Sequence, residues 1–362
     1  MGLDLAGRVL RSRTLAALTS PHGVDRYLEQ VNPLWAAHEV RARVVDVRPE
    51  VDDEGHRVST LTLQPASTWR GHRAGQHVSV GVELDGARRT TRVFTVSSPD
   101  SRPGDRFTIT VRANPATPGR PSVSSYLAER ARPGTMVHLS QAEGDFVLPD
   151  RVPERILLVS GGSGITPVMS MLRSLQRRTH RGRVTFLHYA PSPERLIYAA
   201  ELDDVRRSGH GIDLHVLHPS QGDPYLSPAF LERLVPDYRD VDTWACGPAP
   251  LIEAVRAAYA GSGRLRVEWF KPPRTGGVAG GSVEFARAGT SVANDGGTLL
   301  AQAEAAGLRP ESGCRMGICF SCTTRKSEGT VRNVLTGETS SLPDEDVRIC
   351  VSTAVGDCSI DL

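Results

Sequence analysis

Four cysteines constrain this chain more than any other feature. Cys314, Cys319 and Cys322 follow one another as C-x4-C-x2-C, and Cys350 stands well downstream. Three soft thiolates crowded into one loop with a remote fourth is a spacing that wraps a [2Fe–2S] cluster. A structural zinc site would instead pair its cysteines in two short knuckles. Gly313 and Gly317 let the backbone turn tightly, so that N–H groups can face the cluster sulfurs and offset their negative charge. Such a cluster moves one electron at a time. The rest of the sequence must therefore contain, or meet, a donor and an acceptor.

The other two cysteines, Cys246 and Cys358, leave no basis for a disulfide scaffold in a chain of 362 residues. Cys358 lies outside the cluster pattern and reads as a core thiol. A net charge of +2 gives no argument for a nucleic-acid partner. No apolar run is long enough to span a bilayer, and no signal-peptide core is visible. A cytoplasmic protein is expected, peripheral to the inner membrane only through a partner.

Patterning divides the chain. Residues 1–38 form a mixed arm in which Arg8, Arg11 and Arg13 alternate with Val9, Leu10, Leu15 and Leu18. Residues 39–148 carry short β-branched runs at Val40–Val47, Val58–Leu63, His77–Leu84, Thr91–Val96 and Phe107–Val111, separated by turn residues. This predicts an antiparallel β-barrel. Residues 149–271 alternate strands with helices, beginning with the buried strand Arg155–Ser160 and a helix from Pro167 to about Gln176, and predict a parallel α/β sheet. Residues 272–282 are a Pro- and Gly-rich linker. Residues 283–362 open with a hairpin, Val283–Ala286 and Thr290–Ala293, followed by a helix with Thr298 as its N-cap. The expected fold class is multidomain: an antiparallel barrel, a parallel-sheet α/β domain and a small α+β β-grasp domain.

The second chemical signal is Gly161-Gly162-Ser-Gly164-Ile-Thr166-Pro between a buried strand and a helix. Glycines there allow a ligand to approach the backbone, and the helix N-terminus suits a pyrophosphate. In this context the motif resembles the nucleotide-binding domain of the ferredoxin–NADP reductase superfamily. The cysteine loop, with Arg315, Gly317 and Ser321, resembles plant-type ferredoxins over the whole of 283–362.

The resemblance implies further roles. Arg92-Val-Phe94-Thr95 is similar to the family's Arg-x-Tyr-Ser/Thr flavin signature. Arg92 would meet the flavin phosphates, Phe94 would cover the ring in place of the usual tyrosine, and Thr95 would lie near flavin N5. Ser124 matches a phosphate-loop serine, with Ser125 beside it, whereas Pro121 departs from the family's glycine. Cys246-Gly247-Pro248 resembles the segment beside the nicotinamide, and Phe270 could lie against the flavin or serve as an ordinary core aromatic. Thr95 and Cys246 are the implied catalytic pair. FAD is implied over FMN. Ser192, Arg195 and Tyr198 look like a 2′-phosphate pocket and favour NADPH, while Glu194 could instead bind ribose and leaves NADH possible. The implied activity is a flavin reductase that takes a hydride from NADPH and passes electrons singly through the cluster.

The acceptor is another protein. His215-x-x-His218 falls on a predicted strand, where the two side chains face opposite ways, so the chain does not resemble a terminal oxygenase itself. The arm from Thr19 to Trp35 resembles the N-terminus of actinobacterial reductases that serve membrane-bound acyl-CoA Δ9 desaturases. A membrane stearoyl-CoA desaturase is the expected acceptor. The alternatives are a soluble ring-hydroxylating or alkane oxygenase, or a redox-sensing role with no turnover.

Overall fold

The computed structural model describes residues 12–20, 23–53, 55–84, 88–114, 122–208, 211–270, 277–317 and 320–362. Arg8, Arg11, Pro121, residues 272–276 of the expected linker and Cys319 lie outside the described residues. The chain forms two compact units. One runs through Cys246 and resumes at Ala254–Glu268; the other comprises Gly247–Glu253 and Trp269–Leu362.

The first unit begins with two arm helices, α1 (Arg13–Leu18) and α2 (Val24–Val31). Asp25 ties α2 down. Its carboxylate accepts the backbone N–H groups of Ala37 (2.5 Å), His38 (3.0 Å) and Glu39 (2.8 Å). Burial pushes the Asp25 carboxyl up, but these three bonds outweigh it and hold it below the usual carboxylate range. Glu29, one turn along, pairs with the buried Arg41 at 2.7 Å. Asp25 and Glu29 therefore face the barrel, and by helical spacing Tyr27 and Val31 face away.

Six strands follow: β1 (Val40–Asp53), β2 (His56–Pro65), β3 (His77–Leu84), β4 (Arg88–Thr95), β5 (Phe107–Arg112) and β6 (Met136–Leu139). Their order is β4-β3-β6-β1-β2-β5, with antiparallel pairing. A bridge between Val96 and Ile109 joins the two ends, so the sheet curls closed. Inward residues such as Val44, Leu61, Val78, Val80, Phe107 and Val137 form one core. β1 runs six residues beyond the expected Val47 because its ladder with β2 continues through two bulges into polar residues. Only four residues make β6, too few to stand out in the sequence.

The parallel sheet has the order β11-β10-β7-β8-β9. Its strands are β7 (Arg155–Gly161), β8 (Arg183–Tyr189), β9 (Ile212–Leu217), β10 (Asp242–Gly247) and β11 (Leu265–Trp269). The central strand β7 is buried from Ile156 to Gly161, as expected for a strand covered on both faces. A helix, Ile165–Arg177, links β7 to β8 and also seats the barrel. Ser170 Oγ donates to Ser98 O at 2.5 Å, Arg173 Nη1 donates to Ser97 O at 2.5 Å, and Asp100 N donates to Ser174 Oγ at 2.9 Å.

In the second unit a mixed sheet is built from β12 (Ser282–Phe285), β13 (Thr290–Ala293), β14 (Thr323–Asn333), β15 (Thr339–Ser340), β16 (Glu345–Arg348) and β17 (Ser352–Ile360). β12 runs parallel to β17, which pairs antiparallel with β14. The helix Leu299–Ala305 crosses this sheet, and Thr298 Oγ1 accepts from Ala301 N at 3.3 Å as its N-cap. Val283, Phe285, Leu299, Ile349 and Ile360 fill the core, and Cys358 packs among them.

Candidate nucleotide, flavin and cluster sites

The parallel sheet sets the nucleotide site. Register places Cys246 of β10 opposite Ser160 of β7, and Gly161 of β7 opposite Tyr189 of β8. Three adjacent strands thus end at the same edge, and ligands of open α/β sheets bind outside such carboxyl ends. Gly162 has φ +54°, a conformation that only glycine adopts at little cost. The helix that starts at Ile165 has no side-chain cap at its N-terminus, and Thr166 Oγ1 turns back to Ser163 O at 3.1 Å. Its first N–H groups are thereby directed at whatever lies beyond the strand ends, which fits a pyrophosphate.

Beside this loop, Cys246 is fully buried and its Sγ lies 3.9 Å from Glu268 Oε2. Burial raises the Glu268 carboxyl to about 8, and burial followed by the Glu268 charge pushes the Cys246 thiol well up. Both groups are neutral at neutral pH. The buried pair can hold and share a proton, and Cys246 is no thiolate nucleophile. Glu268 carries no signal of its own in the sequence, because its contact with Cys246 is made between two separate strands.

The second strand end carries the groups expected to choose the nucleotide. Ser192 hydrogen-bonds Glu194 and holds that carboxyl below its usual range. Arg195 Nε donates to Asp53 Oδ2 at 3.0 Å, a partner supplied by the tip of β1. Tyr198 departs from expectation. Only 1% exposed, it donates to Thr110 Oγ1 of the barrel at 2.5 Å and lies under Arg173, whose Cζ is 4.5 Å from the ring centroid. Its φ of +62° turns the side chain into the barrel contact. It cannot line a 2′-phosphate pocket, because its hydroxyl is spent between the two domains.

On the barrel, Arg92 and Phe94 face the same side as their partners Val80 and Val78, and Phe94 packs on the barrel core. Thr95 closes the strand at 7% exposure. The short helix Val123–Ser125 packs against β4, with Ser124 buried and its Oγ 3.0 Å from Ser122 Oγ, while Ser125 Oγ donates to Asn114 O at 2.5 Å. A cation, an aromatic and a hydroxyl on one strand beside a helix start fit a flavin with its phosphates. Phe270 follows β11 and is half-buried.

In the second unit Cys314, Cys322 and Cys350 are all buried and take part in no disulfide. Cys350 lies close to both Cys314 and Cys322. Met316 N donates to Cys314 Sγ at 3.2 Å, a backbone N–H aimed at a ligand sulfur. Arg315 and Glu304 clamp the loop through two bonds of 2.8 and 2.5 Å. A Cβ at Gly317 would meet the Val351 methyls at 2.9 Å, so the loop closes only with glycine there. Among the described residues no three side chains form a ready-made metal cage; the cradle, with its sulfur-directed N–H, is of a kind that suits a cluster.

Residues 158–257 match the oxidoreductase NAD-binding domain family, and residues 285–355 the 2Fe-2S iron-sulfur cluster binding domain family. The chain is 39% identical to an NADPH oxidoreductase of Mycobacterium tuberculosis, over 96% of this chain and 90% of that one. This chain belongs to the ferredoxin–NADP reductase family, in the branch with a C-terminal [2Fe–2S] domain. The reductase is also 31% identical to a glycine betaine monooxygenase reductase subunit of Pseudomonas aeruginosa, over 80% of this chain and 87% of that one. Its fold is similar to that of phthalate dioxygenase reductase, with a TM-score of 0.59 and 24% identity over 90% of this chain and 98% of that one. Family membership makes the protein an NAD(P)H-dependent electron-transfer oxidoreductase that uses FAD and a [2Fe–2S] cluster.

Proposed function

We propose that this reductase oxidises NADPH and supplies electrons to a separate oxygen-activating iron enzyme. The observation that carries the nucleotide choice is the 39% identity, along nearly the whole chain, with a relative named for NADPH. Residues 39–148 would hold FAD, 149–271 the nucleotide, 272–282 the linker and 283–362 the cluster. Gly161, Gly162, Gly164 and Thr166 would cradle the pyrophosphate, with Gly247 and Pro248 shaping the turn after Cys246. Ser192 and Arg195 would receive the 2′-phosphate. Arg92, Phe94, Thr95, Ser124, Ser125 and Phe270 would surround the flavin, and Cys314, Cys319, Cys322 and Cys350 would bind the irons. When bound, these groups supply the conversion of a two-electron donor into one-electron steps. The chain's own part is to orient them, to exclude water around Cys246 and Glu268, and to keep that pair protonated.

Relatives named as oxygenase reductases support a terminal oxygenase as the acceptor. One observation favours a second reading, the membrane acyl-CoA Δ9 desaturase. Leu18, Tyr27, Val31 and Trp35 are four of the nine exposed large apolar side chains among the described residues, and all lie on the arm. No described helix is long and apolar enough to cross a membrane, so the arm would act at a surface. Reconstitution decides between them. The purified reductase is combined either with a purified ring-hydroxylating oxygenase or with desaturase-containing membranes, and product per NADPH is measured. Coupled turnover confined to the membranes, and lost in a Tyr27→Ser, Val31→Ser, Trp35→Ser variant, selects the desaturase. Coupled turnover confined to the oxygenase rejects it, and coupling to neither rejects both acceptors.

A further inference from the structure

Electrons that reach the cluster must leave it through a protein surface, and one side chain marks that surface. Phe320 sits between the cluster cysteines Cys319 and Cys322 and is 63% exposed. Residues 277–362 contain only two aromatic residues, and the other, Phe285, is fully buried in the core. Phe320 also has φ +58°, a left-handed conformation that is an outlier for a bulky side chain. A ring held both strained and largely in water is not there to fill the core, and strain of this kind concentrates at functional sites.

The ring is fixed, not loose. The Arg348 guanidinium carbon stands 4.9 Å from its centroid, and Arg348 Nη1 also donates to Gly317 O on the other limb of the loop. Thr323 N donates to Phe320 O at 3.0 Å where β14 begins, and Thr323 pairs in register with Arg348. Among the described residues no carboxylate pairs with Arg348. An exposed aromatic backed by an arginine that lacks an acidic partner is the composition of an interface hot spot.

We propose that Phe320 and Arg348 form the docking point of the electron acceptor, resting on the reading that Cys314, Cys319, Cys322 and Cys350 hold the cluster. The partner it fits is a protein with an apolar pocket for the ring and a carboxylate or carbonyl rim for the guanidinium, set over its own electron entry point. Docking there brings the acceptor to the loop that carries three of the four ligands.

The test uses the full-length holoprotein with cytochrome c as the protein acceptor and ferricyanide as the small-ion acceptor. Phe320→Ala should lower kcat/KM for cytochrome c roughly tenfold, mostly through KM, equivalent to about 1.4 kcal/mol of binding. Phe320→Tyr should restore most of the loss, and NADPH–ferricyanide activity and the cluster absorption bands should not change. Unchanged cytochrome c kinetics in Phe320→Ala would overturn the proposal, as would equal losses in the alanine and tyrosine variants. Loss of the cluster bands in both variants would also overturn it, by making Phe320 structural. Absence of cluster bands from the unmodified protein would instead defeat the cluster reading itself.

Discussion

Cys246 Sγ and Glu268 Oε2 lie 3.9 Å apart, both buried, at the ends of two neighbouring strands. The pair joins the fold to the chemistry, because Cys246 stands in register with Ser160, where the neighbouring strand β7 runs into the glycine loop. Burial holds Glu268 protonated up to about pH 8. Its folded pKa is above its unfolded value, so the folded state binds the extra proton between the two. The stabilisation is complete below the unfolded value and is lost as pH rises through about 8. Denaturant midpoints should fall between the ordinary carboxylate pKa of 4.5 and about pH 8 and level off above it, and Glu268→Gln should flatten that slope. An unchanged slope in the variant would place the titration elsewhere.

Asp25 has the opposite sign. Its carboxyl is held below the usual range by three backbone N–H groups, so its contribution is present above the unfolded value and lost as pH falls through the folded one. Asp25→Ala should cost on the order of 2 kcal/mol, the range for hydrogen bonds to a charged group. It should also release the arm, read as faster proteolytic cleavage before residue 40 with barrel fragments intact. Unaltered cleavage would mean that the arm is anchored by other contacts.

Arg195 and Tyr198 are three residues apart and should behave differently. Arg195→Gln should raise KM for NADPH roughly tenfold, about 1.4 kcal/mol, and leave KM for NADH unchanged. Tyr198→Phe removes the hydroxyl bonded to Thr110 and should cost about 1 kcal/mol of stability with no nucleotide-specific effect. A rise in KM for NADPH alone in Tyr198→Phe would return that residue to the phosphate site.

The last two cysteines also separate. Cys350→Ser should abolish the cluster's visible absorption, because it removes one of the four proposed cluster ligands. Cys358 packs in the sheet core, where burial raises its thiol to about 11. Cys358→Ser should keep the cluster bands and lose only stability. Equal loss of the bands in both variants would mean that Cys358 serves the cluster after all.

Much of this was legible in the sequence wherever periodicity or spacing repeats a physical rule. His77–Leu84 and Thr290–Ala293 are strands at the expected residues because their β-branched runs end at turn residues. Thr298 caps its helix because a threonine stands directly before an apolar run. Pairings between distant segments were not legible. The Cys246–Glu268 contact, the Asp53–Arg195 ion pair and the anchoring of the arm by Asp25 all depend on which strands and helices meet in space. Tyr198 was misplaced for the same reason. A tyrosine near a strand end suits a nucleotide pocket by residue type, but its positive φ and the nearby Thr110 turn it into the barrel.

An anaerobic NADPH titration of the purified full-length protein, followed by visible absorbance, tests the central claim most directly. NADPH should bleach the flavin bands and the [2Fe–2S] bands of the same chain, and added cytochrome c should restore both. A protein that carries both chromophores but keeps its cluster oxidised under excess NADPH would contradict the account, as would one that lacks flavin bands altogether.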